Sequence, residues 1–350
     1  MDIKICDWTS FSYIIWPNGQ YYYFVLLSGL KGFVRTQNKF RCIDSVKIVN
    51  KVGESFYPCL SILQEKVKNC NNKLSPRLIY TTMAGKCLRS SVPIWSQASK
   101  SSRYIEFYDY DGPKKSPTVL YVPGFGAAGH GTKSQEFIKH FQAKGQRYIC
   151  YDPESRGESP PKLDDISTLE FKHWFEDAET AIKASKSPVV LCGSSMGGWI
   201  SLKMANMYPD LIKGLVLIAP AVNFLRKKYQ LWYDQAAPEI QKEQDDGKVT
   251  IVDSGSFGIL FYMKEFAAKS EELEFDLSKP NTLQIQCPVK IIHGVQDDTV
   301  PYKQSLQVME MISSPNVELI YQKSGDHRMQ NTEGIELIKR ELDDLIAKVK

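Results

Sequence analysis

Two serines stand side by side in Leu191-Cys-Gly-Ser-Ser-Met-Gly-Gly-Trp199, directly after the apolar run Pro188-Val-Val-Leu191. A serine between glycines, after a buried strand and before a helix, is the pattern of a nucleophile raised above a sheet edge to attack an acyl carbonyl. The G-x-S-x-G spacing decides between the two hydroxyls. With Ser195 at the centre, Gly193 and Gly197 take the positions two before and two after it, where the strained turn is crowded and both residues must be small. With Ser194 at the centre those positions hold Cys192 and Met196, and the methionine clashes. A nucleophile at this place also sits at a helix N-terminus, where free N–H groups favour a developing oxyanion.

A serine needs a base to take its proton, and the base needs an acid to orient it. In this class of fold the chain order is serine, acid, histidine. Of His130, His140, His173, His293 and His327, only the last two follow Ser195. His293 ends an apolar strand and precedes Gly294, which suits a structural role. His327 lies in the polar loop Ser324-Gly-Asp-His-Arg328 after the last strand, where the base is expected. The acid is expected at Asp297, within His293-Gly-Val-Gln-Asp-Asp-Thr-Val-Pro301, which matches an H-G-x-x-D-x-x-V-P loop. Asp298 is one place off and fits a solvated or capping neighbour. Asp326, adjacent to the base, fits a loop carboxylate. Val122-Pro-Gly-Phe-Gly126 supplies the second oxyanion donor, the Phe125 N–H, to pair with the Met196 N–H. Alone, that loop would pass for a plain strand-ending turn.

The elements that hold these residues are regular from Tyr104 onward. Strands are expected at 105–108, 118–122, 148–151, 189–192, 215–218, 289–292 and 317–321. Most are solidly apolar, as strands buried on both faces of a parallel sheet are. Helices are expected at 134–145, 167–184, 197–208, 302–312 and 332–349, the last with an apolar stripe of Ile335, Ile338, Leu342, Leu345 and Ile346. This alternation points to an α/β domain over 104–350 with a mostly parallel sheet. Residues 223–286 break the rhythm, with helical pieces near 224–234 and 258–273, and are expected to form a helical lid over the sheet edge where such folds bind ligands.

Composition bounds the rest. At 43% hydrophobic and 24% charged, the 350-residue chain is an ordinary globular one. Its net charge of +4 is unevenly spread: residues 1–103 hold 15 basic and 5 acidic residues, and residues 104–350 hold 29 and 35. The basic excess belongs to the front segment and reads as a solvated or targeting region. No nucleic-acid reader motif accompanies it. Eight cysteines occur without a disulfide framework or a CxxC pair, which suits a reducing compartment and argues against a metal site. The apolar run Tyr21–Leu30 is too short to cross a membrane, and Asn18-Gly19 could turn a hairpin. From Lys66 to Tyr104 no acid appears, and the stretch from Met83 onward is basic and serine-containing, like a mitochondrial transit peptide. Its distance from residue 1 leaves two readings, a start near Met83 or an accidental likeness.

Tyr121-Val-Pro-Gly-Phe-Gly126, Gly131-Thr-Lys133, Gly193-Ser-Ser-Met-Gly-Gly-Trp199, Cys287–Pro301 and Ser324-Gly-Asp-His-Arg-Met329 together resemble the α/β-hydrolase domain-containing protein ten group, over about 105–350. The resemblance implies an α/β-hydrolase fold and a mitochondrial palmitoyl-protein thioesterase, also active on acyl glucuronides. By position it implies the same nucleophile, acid and base. It implies no metal, nucleotide or redox cofactor, and as partner an S-acylated protein or a small acyl ester. A broad carboxylesterase, an acylglycerol lipase and a non-catalytic binding protein of the same fold stay open as alternatives. Phe257, Leu260, Phe261, Met263 and Phe266 give the lid apolar side chains that either cover an acyl chain or serve as ordinary cap core. One departure concerns the pocket border. Where the group has D-Y-x-G-x-G-x-S, this chain reads Asp152-Pro-Glu-Ser-Arg-Gly-Glu-Ser159, with Ser155 in place of the first glycine. Residues 1–103 show no matching counterpart.

Overall fold

The computed structural model describes residues 4–8, 11–15, 21–22, 31–36, 39–44, 78–82, 85–94, 103–160, 166–254 and 259–349. The chain divides into two compact units, Met1–Ser90 and Ser91–Lys350. In the second unit, residues 91–94 lie against residues 103–106. Ser91 Oγ donates to Glu106 Oε1 at 2.5 Å, and Ile94 N–H donates to the Arg103 carbonyl at 2.9 Å.

In the first unit the described residues form short antiparallel ladders. Lys4–Trp8 pairs with Phe11–Ile15, which pairs with Tyr21–Tyr22; Lys31–Thr36 pairs with Lys39–Asp44; Leu78–Thr82 pairs with Gly85–Pro93. The expected Asn18-Gly19 turn lies outside the described residues. So does most of the apolar run 21–30. Within the transit-peptide-like stretch, Gly85–Pro93 is a strand, while 83–84 and 95–102 lie outside.

The second unit carries the α/β architecture. Its sheet strands are β1 (Tyr104–Tyr110), β2 (Lys114–Val122), β3 (Gln146–Asp152), β4 (Val189–Ser194), β5 (Ile212–Ile218), β8 (Val289–Gly294) and β9 (Val317–Gln322), with two short cap strands, β6 (Thr250–Asp253) and β7 (Ile259–Tyr262). The sheet order is β9-β8-β5-β4-β2-β3-β1, parallel throughout except that β1 runs antiparallel to β3. β4 lies at the centre, and every one of its residues is buried. Its solid Val-Val-Leu-Cys run is what a two-sided environment requires, whereas the edge strand β9 alternates exposed and half-buried positions.

Helices α1 (Thr132–Ala143), α2 (Phe171–Ser185), α3 (Met196–Met207), α4 (Leu225–Tyr233), α5 (Pro238–Asp245), α6 (Lys264–Lys269), α7 (Gln304–Met311) and α8 (Thr332–Lys348) complete the unit. The stripe of α8 is buried as its periodicity predicts, and the Asn331 side chain caps its start by accepting from Gly334 N–H at 2.8 Å. α3 begins immediately after Ser195 and buries Trp199, Ile200, Leu202 and Met204. Helix α3 is apolar on almost every side because the sheet lies beneath it and α2 and the cap cover it.

The insertion is helical in part, as expected, but it also holds two strands where none was expected. Alongside α4, α5, α6 and a 3₁₀ turn at Ser270–Leu273, it contains the antiparallel hairpin β6–β7, with Ile251 opposite Phe261. Four-residue strands leave too little alternation to be told from a helix fragment. The hairpin is held by Trp232 on α4, whose ring stacks on Tyr262 at 4.0 Å between centroids and 3° between planes. Leu260, Phe261, Met263 and Phe266 are all buried, and Phe257 lies outside the described residues. Phe261 and Phe266 meet Trp174 of α2 at 6.2 and 5.3 Å, so cap and sheet domain share one aromatic core. The Trp199 indole N–H donates to the Leu273 carbonyl at 3.1 Å. At the neck, the Asn223 side chain makes two bonds to Phe275, donating to its carbonyl at 2.6 Å and accepting its N–H at 2.9 Å.

Candidate active site

Ser195 stands between β4 and α3 with φ 55° and ψ −120°, a conformation that L-residues seldom adopt. The neighbouring sequence makes it attainable. A Cβ on Gly193 would lie 2.4 Å from the Gly197 carbonyl oxygen, and one on Gly197 would lie 2.1 Å from the Val122 carbonyl oxygen. Both are backbone atoms that cannot step aside. The turn is then tied down by Ser195 N–H donating to Ile218 at 2.8 Å and by the Gly198 and Ala221 N–H groups donating to the Ser195 carbonyl. Ser194 is the last residue of β4 and is buried.

The structure brings the three expected side chains into one hydrogen-bonded line. Ser195 Oγ lies 3.0 Å from His327 Nε2, and His327 Nδ1 lies 2.7 Å from Asp297 Oδ2. Nδ1 facing a carboxylate carries the hydrogen, which leaves Nε2 free to accept from the serine hydroxyl. Asp298 is exposed and takes only the Thr299 hydroxyl, at 3.1 Å, and Asp326 accepts Met329 N–H at 2.7 Å.

Asp297 is held from several directions. Oδ1 accepts the Thr299 and Val300 N–H groups at 2.8 and 2.7 Å, and Oδ2 also receives His293 Nε2 at 2.8 Å. Burial pushes the carboxyl up, but the bonds from His293, His327 and Val300 together outweigh it and hold it well below the usual carboxylate range. His293 is itself locked, with Nδ1 2.7 Å from Ser305 Oγ on α7. Nε2 faces two acceptors, Asp297 and the Val300 carbonyl, so it carries the hydrogen and Nδ1 accepts from the serine. His293 therefore supports the acid, a contact the H-G-x-x-D spacing hinted at through its i,i+4 separation.

Lys133 is a second supporting residue that its motif alone did not disclose. Nearly fully buried, it donates to the Arg328 carbonyl at 2.7 Å and so ties the start of α1 to the loop bearing His327. Burial lowers its amine to about 8. The remaining histidines face elsewhere: His130 toward Tyr110, His140 toward Asp343 and His173 toward Glu154.

The two expected oxyanion donors flank the serine. Met196 is the first residue of α3, so its N–H belongs to the unpaired first turn. Phe125 follows Gly124, whose Cβ position would lie 3.2 Å from Ser195 Cβ. The Phe125 ring rests against Trp174, Phe224 and Phe261 at 5.6–6.0 Å, so the loop leans on the same aromatic core as the cap.

The pocket border is built on Asp152. Its carboxylate accepts Gly129 N–H at 2.7 Å, Tyr108 OH at 2.9 Å and Glu158 N–H at 2.9 Å, stitching the loop after β2 to the loop after β3. Between the two loops lies a cavity of about 250 Å³, lined by Gly126, Ala128, Ser155, Arg156, Ser159 and, from the cap, Ile259.

Comparison with known proteins agrees with this architecture. The family described as serine aminopeptidase, S33, matches residues 113–251. The mitochondrial palmitoyl-protein thioesterase ABHD10 of Mus musculus is 30% identical over 236 residues, covering 67% of this chain and 77% of that one. Its counterpart from Bos taurus is 29% identical over 279 residues, covering 77% and 88%. The share of 77% exceeds what residues 105–350 supply, so that match reaches ahead of the motifs. The structure of α/β-hydrolase domain-containing protein 10 from mouse superposes with a TM-score of 0.62 at 28% identity, over 75% of this chain and all of the other.

Proposed function

This chain belongs to the α/β-hydrolase domain-containing protein 10 family, and we propose that it is a serine hydrolase cleaving acyl thioesters and esters through Ser195, His327 and Asp297. The observation that carries the reading is the line Ser195 Oγ–His327–Asp297, at 3.0 and 2.7 Å, with the serine at a strained turn before a helix.

Ser195 Oγ attacks the acyl carbonyl while His327 Nε2 takes its proton. Asp297 holds the imidazole in the required tautomer and stabilises the imidazolium, and the Phe125 and Met196 N–H groups receive the oxyanion. The C–S or C–O bond then breaks, and His327 protonates the leaving group. Water, deprotonated by the same histidine, releases the acid and restores the serine. No step calls on a metal or a cofactor.

The finer reading is removal of palmitoyl groups from protein cysteines, with acyl-glucuronide hydrolysis as a second activity, in mitochondria. It is supported by the likeness to the mitochondrial palmitoyl-protein thioesterases of Bos taurus and Mus musculus and by the aromatic cap core, which offers an acyl chain an apolar surface. Comparing kcat/KM on a palmitoyl-cysteine peptide, an acyl glucuronide and a monoacylglycerol tests it. The thioester is expected to be the best of the three, and a preference for the monoacylglycerol would favour an acylglycerol lipase instead. A fluorophosphonate probe that left Ser195 unlabelled would overturn the serine-hydrolase reading itself. For location, residues 83–104 fused to a reporter are expected to direct it to mitochondria, and a diffuse cytosolic signal would refute that.

A further inference from the structure

Arg156 is about 95% buried, yet among the described residues its side chain makes one hydrogen bond, Nη1 to the Ile259 carbonyl at 3.1 Å, and Nε and Nη2 meet no partner. A buried cation without a counter-charge costs several kcal/mol and is normally paired. Among the described residues, the carboxylates of Glu154, Asp177 and Asp152 are engaged elsewhere. Glu154 faces Arg103 and His173, both at 2.8 Å; Asp177 faces Arg103 and Glu154 N–H; Asp152 stitches the loops. The guanidinium instead lies over the faces of Phe261 and Trp174, 5.2 and 5.9 Å from their centroids. Burial lowers it to about 10.

Ser155 repeats the anomaly. It holds φ 61°, where a glycine would be unstrained, and its Oγ is buried without a partner. Strain of this kind persists where something other than folding requires it. Both residues line a cavity that is also lined by Gly126, two residues from the Gly124 whose Cβ position would lie 3.2 Å from Ser195 Cβ. Two residues span at most about 7 Å, so the cavity is bordered by the same loop that touches the nucleophile, although Ser195 is not part of its lining. A second cation, Lys228 of α4, lies 5.7 Å over the Phe125 ring on the same aromatic cluster.

We propose that Arg156 and Ser155 form a recognition subsite for an anionic oxygen group, carboxylate or phosphate, carried by the substrate next to the acyl bond broken at Ser195. A planar guanidinium with two open N–H directions and an adjacent hydroxyl is the donor set such a group takes. The volume is small beside the roughly 300–1,000 Å³ of a drug-sized pocket but ample for a charged headgroup. The subsite rests on the reading of Ser195 as nucleophile.

The test uses two matched pairs of decanoyl substrates: the thioesters of N-acetylcysteamine (neutral) and thioglycolate (carboxylate), and monodecanoylglycerol (neutral) with decanoyl glycerol phosphate. The native enzyme is expected to favour the anionic member of at least one pair through KM, and the pair affected tells carboxylate from phosphate. R156Q is expected to raise the KM of that member about 10- to 100-fold and to change the neutral member less than about twofold. R156K is expected to recover part of the loss. No anionic preference in the native enzyme, or an equal loss on both members in R156Q, overturns the subsite. A readout independent of turnover guards against misfolding of R156Q. In S195A, inorganic phosphate is expected to raise the melting temperature more than it does in S195A/R156K, and equal shifts refute the proposal. Failure of Ser195 to label with a fluorophosphonate would condemn the nucleophile assignment alone, since the phosphate titration does not depend on it.

Discussion

Two polar clusters of the α/β unit, one around Asp297 and one around Arg156, are built on opposite terms. On the His327 side every bond is answered: Asp297 receives four donors, and His293 behind it is matched at both nitrogens. On the Arg156 side two guanidinium nitrogens and a serine hydroxyl are buried with no partner among the described residues. A saturated cluster has its geometry set before substrate arrives, which is what an acid–base relay needs. An unsaturated one gives up stability for a later gain, which is what recognition needs.

Substitutions can break that contrast, and the largest effect belongs to the nucleophile. S195A is expected to lower kcat/KM by roughly 10⁴- to 10⁶-fold with an unchanged melting temperature, whereas S194A stays within about tenfold; a fully active S195A would remove the relay altogether. D297N keeps the shape of the acid but not its charge, and should cost about 10⁴-fold in kcat, against less than about twofold for D298N. D297N should also lose stability at neutral pH. Because the folded carboxyl is held below its ordinary value of about 3.9, its contribution is complete above about pH 4 and lost as pH falls further. The melting-temperature gap between native and D297N protein should therefore close in acid, and a gap constant with pH would show that the amide disturbs packing instead.

R156M reverses the sign. Removing an unpaired buried cation should stabilise the fold by about 1–2 kcal/mol, read by denaturant unfolding, and destabilisation would mean that the cation–π contacts outweigh desolvation. S155G is the smallest change. Relief of the positive φ should contribute about 1 kcal/mol, and any loss of stability would place an unseen contact on the Ser155 hydroxyl.

The sheet and its helices were legible because each is written in a contiguous run: Val189–Cys192 is apolar at every position, and α8 carries its stripe in the open. The local part of the candidate site was legible for the same reason, since Gly193 and Gly197 constrain Ser195 from two residues away. What stayed hidden joins distant segments. Lys133 meets the Arg328 carbonyl across 195 residues, and the isolation of Arg156 becomes apparent only once Glu154 and Asp177 are seen bound to Arg103. The cap hairpin escaped because Thr250–Asp253 and Ile259–Tyr262 are too short to display a period.

The Asn223 clasp has a wider meaning. By bonding both backbone groups of Phe275, it makes the departure and return of a 52-residue excursion meet at one side chain. The entropy of closing that loop is met at the neck, and it grows only slowly with length. The cap is therefore anchored twice, at this neck and through Phe261 and Phe266 on Trp174, so changes in length are best absorbed in its outer parts, such as Pro238–Asp245, while its inner aromatic residues stay tied to the sheet and the serine turn.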